Sequence, residues 1–299
     1  MFEGLRLSAC VTALGVAAWM ATAPASYAQG TPDASTPHDA AVDGGLRCVP
    51  IDDDDDAPVP AATRDAGADA ARPSARLFEA PAARAARGMT TVPGGVFRYG
   101  GAWASVGPFA IDRREVTAAA YGRCVTAGEC PAAPDPYAQM ASRATAPAVN
   151  VSWEMARRYC AWAGGRLPTE AEWELAARGV GGRRFPWGER APDCSLARHA
   201  GCGDAPLRVG ALPAGQSEFG VFDMAGNVAE WVADVFGPRA PRDDERLAVN
   251  PAGPATGAQR VVRGGSFLST AGALGGDARR GVDAREMRAD VGFRCARGL

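Results

Sequence analysis

Residues 220–231 read G-V-F-D-M-A-G-N-V-A-E-W. Asp223 and Glu230 stand seven positions apart, and between them lies Gly226-Asn227, a pair that tolerates the positive φ of a tight turn. Two carboxylates closing on a turn with free carbonyls make an oxygen cage suited to a hard cation such as Ca²⁺. The same spacing fits a plain β-turn with an exposed Asp and a Glu on a strand, and it is not the EF-hand pattern. The surrounding chain decides between the two.

Upstream, Asn150-Val151-Ser152 leads into W-E-M-A-R-R-Y-C-A-W-A. Trp153, Ala156, Cys160 and Ala163 share one face at helical spacing, and Gly164-Gly165 ends the run. Thr169-Glu170-Ala171-Glu172 is a capping box that opens a second helix through Trp173, Ala176 and Ala177, stopping at Gly179. An earlier helix is predicted from a Thr117 cap through Tyr121 and Cys124 to Gly128. T-V-P-G-G-V-F-R-Y-G and P-F-A-I-D-R-R-E-V-T read as two short strands joined by a loop. Further strands are expected at Arg260–Phe267 and Val291–Arg297, with long loops over 189–219 and 237–258. Few helices, short strands and long loops predict a single α+β domain over 89–299.

The N-terminal portion is different. Arg6 and an apolar run from Leu7 to Ala23 precede Ser26-Tyr27-Ala28, whose small residues suit cleavage before Gln29. Residues 1–28 read as a signal peptide, so the chain is expected to be exported (periplasmic, secreted or on the cell surface) and to keep no membrane span afterwards. Residues 29–88 are rich in Ala, Pro, Asp and Arg and include the run Asp52–Asp56. Such a segment cannot bury enough apolar surface to offset its ordering entropy and reads as a disordered linker.

The formal net charge is −2, which implies no nucleic-acid partner. Every basic residue is Arg, which suits fixed ion pairs. Export permits disulfides. Without Cys10, seven Cys remain. Cys124/Cys130 and Cys194/Cys202 are close enough to clip short loops; Cys160 and Cys295 could close a long one, and Cys48 is left over. Spacing alone leaves this connectivity open. Zinc is the competing use, but there is no C-x-x-C and the only histidines are His38 and His199.

Seven blocks, in order, carry a resemblance. They are V-P-G-G-V-F at 92–97, P-A-V-N-V-S-W at 147–153, G-R-L-P-T-E-A-E-W-E at 165–174, F-P-W-G at 185–188, D-M-A-G-N-V-A-E-W at 223–231, R-V-V-R-G-G-S-F at 260–267 and G-F-R-C-A at 292–296. Together they resemble the formylglycine-generating enzymes, or sulfatase-modifying factors. The resemblance implies a loop-rich α+β domain akin to a C-type-lectin-like fold. It implies structural calcium held by the Asp223 and Glu230 side chains and the Gly226 and Val228 carbonyls. It also implies a Cys160–Cys295 disulfide.

Enzymes of this family oxidise a sulfatase Cys to formylglycine with O₂, using Cu(I) held by two thiolates just after G-G-S-F. Soft Cu(I) needs sulfur. The matching positions here are Ser269 and Leu274, a hard hydroxyl and a hydrocarbon, and Ala229 replaces the Trp before the calcium-stretch Glu. Copper is therefore not expected as a cofactor. A Ser-His-Asp site would have to use His199, which has no nucleophile motif near it, and a two-His iron site lacks its histidines. The resulting expectation is an exported, catalytically altered relative binding a protein, peptide or glycan ligand through the family's substrate groove. Ser266, Ser269, Arg279, Arg280 and Trp231 are the candidates to line or border it. The alternatives are an active oxidase with a rearranged metal site and a non-enzymatic lectin-like interaction module.

Overall fold

The computed structural model describes residues 88–137, 140–239 and 247–299. The expected leader, almost all of the linker, Cys48 and Asp52–Asp56 lie outside the described residues. Among the described residues, no helix is long and apolar enough to cross a membrane.

The first stretch makes four strands, not two. Pro93 lacks a ladder donor and Gly94 sits at φ +78°, so the run breaks into β1 (Met89–Val92) and β2 (Gly95–Tyr99). The expected loop folds as β3 (Ala102–Val106), antiparallel to β2, and β4 (Phe109–Asp112) returns against β1. β2 shows the period of a half-buried strand, with Phe97 and Tyr99 inward and Val96 and Arg98 outward.

The helices follow their caps. The Thr117 hydroxyl accepts from Ala120 N (3.1 Å) and opens α1 (Ala118–Thr126). Ser152 accepts from Met155 N (3.3 Å) and opens α2 (Trp153–Trp162). Both arms of the capping box form at α3 (Glu170–Arg178): Glu172 N donates to Thr169 Oγ1 (3.1 Å), and Thr169 N donates to Glu172 Oε2 (2.8 Å). Gly179 then takes φ +67°. α3 is buried almost throughout, Glu170 and Glu174 included.

The rest is sheet and loop. β5 (Ala229–Val235) continues the turn at 223–228. β6 (Ala248–Val249) falls within the expected 237–258 loop and runs parallel to β3. β7 (Gln259–Arg263) is shorter than the predicted strand because Gly264 and Gly265 turn at φ +85° and +69°. β8 (Arg279–Asp283) lies where a loop was expected. The predicted C-terminal strand divides into β9 (Val291–Phe293) and β10 (Ala296–Gly298). At the break the Arg294 side chain is drawn into the core, and Cys295 N donates to the Asp112 carboxylate (2.9 Å) rather than to a ladder. A four-stranded sheet runs β8-β7-β5-β9, with two three-stranded sheets, β1-β4-β10 and β2-β3-β6.

One core cluster packs Trp173 of α3 against Phe97, Ile111, Val221 and Met224; another packs α1 and α2 against Trp231, Val262 and Phe293. The disulfides are Cys124–Cys130, Cys160–Cys295 and Cys194–Cys202. The second ties α2 to the β9–β10 break, 135 positions away. The fold is thus the loop-rich α+β class expected from the sequence.

Candidate functional site

The 223–230 stretch is neither exposed nor a simple turn. Asp223 and Asn227 hold φ of 58° and 57°, backbone that non-glycine residues rarely adopt. Gly226, at φ +82°, lies so close to the next loop that a Cβ there would sit 2.3 Å from the Arg198 carbonyl. The turn is stitched on both sides: Asn227 N donates to Arg198 O (2.8 Å) and Gly226 N to Gly264 O (2.9 Å), while Phe267 N donates to Asn227 O (2.8 Å). The 223–230 turn and the G-G-S-F loop are therefore one backbone unit.

Below the turn, Glu230 is fully buried on β5. It accepts from Arg294 Nη2 (2.6 Å) and Nε (2.7 Å) and from Trp173 Nε1 (2.8 Å). Glu115 is also buried and accepts from Asn227 Nδ2 (2.6 Å) and Val228 N (3.2 Å). Asp223 accepts from Gly210 N (2.6 Å). Burial pushes the Asp223 carboxyl up to about 6 and that of Asp112 up to about 7. Burial, reinforced by Asp223 and Glu230, holds Glu115 well above the usual carboxylate range. Asp112, Glu115, Asp223 and Glu230 thus share the buried guanidinium of Arg294, and carboxyl groups outnumber the cation. Oxygen donors in such excess fit a hard divalent cation, which would stabilise the ionised carboxylates that burial disfavours. One restriction applies to Glu230, whose two oxygens are already engaged by Arg294 and Trp173. Glu115 and Arg294 were missed in the sequence: Arg294 stands as a lone charge among the apolar residues of V-G-F-R-C-A, whereas Glu115 follows Asp112-Arg113-Arg114 and carries no such signal.

The Ser269 and Leu274 positions do converge. A Cβ on Gly265 would lie 2.7 Å from Leu274 Cδ2 and 3.2 Å from Ser269 Oγ. Ser269 Oγ accepts from Ser266 N (3.0 Å), and its carbonyl accepts from Ala200 N (2.8 Å). Leu274 has no exposed surface and packs with Phe185, Ala197 and Ala225.

The five groove candidates separate. Ser266 Oγ reaches Asp290 Oδ2 (3.4 Å), which Arg280 Nη2 also contacts (3.2 Å), and Arg288 Nε holds the other oxygen (2.9 Å). Asp290 thereby gathers Arg280 and Ser266, but Ser266 is buried and lies beneath the surface instead of lining it; the exposed side chains of Leu268 and Met287 are nearby in sequence. Arg279 is not available there. It forms a two-point pair with Glu170 (2.7 and 2.9 Å), inside a network that includes Arg263, Arg239 and Glu174. Trp231 has no exposed surface, and its indole N–H donates to Val151 O (2.9 Å), so it packs in the core instead of bordering a groove.

The model of the sulfatase-modifying factor enzyme 1-like domain matches residues 74–299. The chain is 40% identical over 169 residues to the formylglycine-generating enzyme of Streptomyces coelicolor, covering 50% of this chain and 52% of that protein. It is 36% identical over 170 residues to the bovine (Bos taurus) inactive C-alpha-formylglycine-generating enzyme 2, covering 51% of this chain and 50% of the relative. The chain spans about half the length of the curated relatives it matches. Among solved structures, PvdO from Pseudomonas aeruginosa aligns with a TM-score of 0.58 at 26% identity, covering 71% of this chain and 94% of PvdO. The chain belongs to the sulfatase-modifying factor enzyme 1-like domain family.

Proposed function

We propose that this chain is an exported member of the family that binds a protein, peptide or glycan ligand and does not act as a copper-dependent cysteine oxidase. The observation that carries the reading is the pair converging on Gly265, a serine hydroxyl and a buried leucine. Cu(I) bound by two thiolates needs two soft donors; this pair offers one hard donor and one hydrocarbon. Family likeness extends to a relative named inactive as well as to an active one, so the scaffold tolerates both outcomes. The disulfides support export. The ligand face is the surface around Ser269 and Arg280, with the buried Ser266 and Asp290 ordering it from beneath.

Calcium belongs to this reading as a structural ion. Asp223 would hold it through its side chain, Gly226 and Val228 through carbonyls, and Glu230 through a lone pair left beside its bonds to Arg294 and Trp173. Bound there, it supplies charge compensation to the buried carboxylates. The chain's own part is to fix the 223–230 turn against the 264–267 loop, and so the ligand face.

Restoring the thiols tests the reading. In a Cys194→Ser/Cys202→Ser background, Ser269→Cys/Leu274→Cys should gain one equivalent of Cu(I) binding, measured by competition with a chromophoric chelator, and the parent none. Equal uptake by the parent would mean that the metal uses other ligands and that the reading is wrong.

A further inference from the structure

The loop that donates to Ser269 carries a second constellation. Sγ of Cys194, Sγ of Cys202 and a ring nitrogen of His199 all lie within 4.8 Å of one another. In the structure the sulfurs are joined as a disulfide. His199 is 9% exposed, and its two nitrogens have different surroundings. Nδ1 lies 2.8 Å from the Ala200 carbonyl, which can only accept, so Nδ1 carries the hydrogen. Nε2 therefore presents a lone pair, and it is buried without a hydrogen-bond partner. A buried acceptor with nothing to accept is costly and calls for an explanation. A ring nitrogen fixed by a backbone carbonyl through its other N–H is the arrangement in which imidazole serves as a metal ligand.

The scaffold around the three groups is rigid. Arg198 donates to Ala205 O (2.9 Å) and to Cys202 O, Cys202 N donates to His199 O (2.9 Å), and Ala200 N is tied to Ser269 O (2.8 Å). Access is also unequal among the disulfides. Cys194 is exposed and Cys202 half-buried, whereas Cys124, Cys130, Cys160 and Cys295 are all buried. A dithiol reductant reaches the exposed bridge first.

We propose that Cys194, His199 and Cys202 form a redox-gated zinc site. A dithiol reductant passes two electrons and two protons to the Cys194–Cys202 bond. The S–S bond breaks, two thiols form, and the reductant leaves as its own disulfide. Each thiol releases its proton to solvent as Zn²⁺ binds. Two thiolates and the His199 Nε2 lone pair then take three tetrahedral positions, and the fourth stays open to water or an added ligand. A disulfide oxidant reverses the exchange: it takes the two electrons, leaves as its own dithiol with two protons from solvent, and the re-formed Cys194–Cys202 bond removes two of the three donors and releases Zn²⁺.

The test uses the full chain carrying Cys10→Ser and Cys48→Ser, so that the remaining thiols come from the three bridges. Mild dithiothreitol treatment followed by alkylation and mass mapping should label Cys194 and Cys202 first. The reduced chain should bind one Zn²⁺, measured by chelator competition, and Co²⁺ in its place should show thiolate-to-metal charge-transfer absorption. The oxidised chain should bind none. His199→Gln should keep the thiolate–cobalt band but weaken affinity at least tenfold, and Cys194→Ser/Cys202→Ser should abolish both. The proposal is overturned if another bridge opens first, if the reduced chain takes up no zinc, or if His199→Gln binds as tightly as the parent.

Discussion

Arg294→Met removes the guanidinium that the buried acids share. Arg294 has no exposed surface and makes four hydrogen bonds: two to Glu230 (2.6 and 2.7 Å), one to Phe222 O (2.9 Å) and one to Asp112 O (3.1 Å). Methionine fills much of the volume but leaves Glu230 without its cation and two carbonyls without a donor. Breaking a buried pair from one side costs about 3–5 kcal/mol. For a domain of this size each kcal/mol moves Tm by roughly 2–4 °C, so a fall of about 6–20 °C is expected at neutral pH. Thermal and denaturant unfolding measure it directly. Adding Glu230→Gln should recover part of the loss, because the orphaned charge is gone, with a coupling of about 0.5–3 kcal/mol. A single variant within about 1 kcal/mol of the parent, or a double variant whose losses simply add, would refute the reasoning.

Three further outcomes are expected. Ca²⁺ at a hundredfold excess over its Kd should stabilise the parent by about 2.7 kcal/mol, and Asp223→Asn should lose most of that gain; a chelator without effect on the parent's Tm contradicts the calcium assignment. Burial alone would raise the Glu170 carboxyl, but Arg263, Arg279 and Arg239 carry it down to about 2 from an ordinary 4.5. A depressed folded value means stability that is complete above about pH 4.5 and lost as pH falls through 2, on the order of 3 kcal/mol. The stability gap between parent and Glu170→Gln should therefore narrow between pH 7 and pH 2, and a constant gap is the contrary result. Removing the 135-position bridge with Cys160→Ala/Cys295→Ala should cost about 4–5 kcal/mol in chemical denaturation, against little change if the unfolded chain is already constrained.

What the sequence reveals here is mostly short-range. Thr117, Ser152 and the Thr169–Glu172 box each act within three residues, so the helices they open are readable from local pattern. The two close cysteine pairs are legible for the same reason. The Cys160–Cys295 bridge was reached through family likeness, because spacing alone leaves so long a loop open. The site's wiring is long-range. Arg294 meets Glu230 across 64 positions and Arg279 meets Glu170 across 109, and no local period encodes either contact. That is why Arg279 read as a residue of the Ser266–Ser269 groove when it belongs to the ion-pair network around Glu170. Trp231 misled for a related reason, since an aromatic beside a charged Glu fits a site or a core equally well until burial is known. The C-x4-H-x2-C spacing of Cys194, His199 and Cys202 was visible, but only folding shows that a ring nitrogen of the histidine lies within 4.8 Å of both sulfurs and that Nε2 is buried without a partner.

Aldehyde formation separates a chain that binds from one that oxidises. Purified protein would be incubated with Cu(I), Ca²⁺ and O₂ and a peptide bearing the sulfatase C-x-P-x-R signature, beside a two-cysteine relative run in parallel. Formylglycine would be read by mass and hydrazide labelling. A chain that binds without oxidising gives no formylglycine above a no-protein control while the relative turns the peptide over. Formylglycine produced by this chain would contradict the proposed function and would mean that copper is held by groups other than the Ser269 and Leu274 positions.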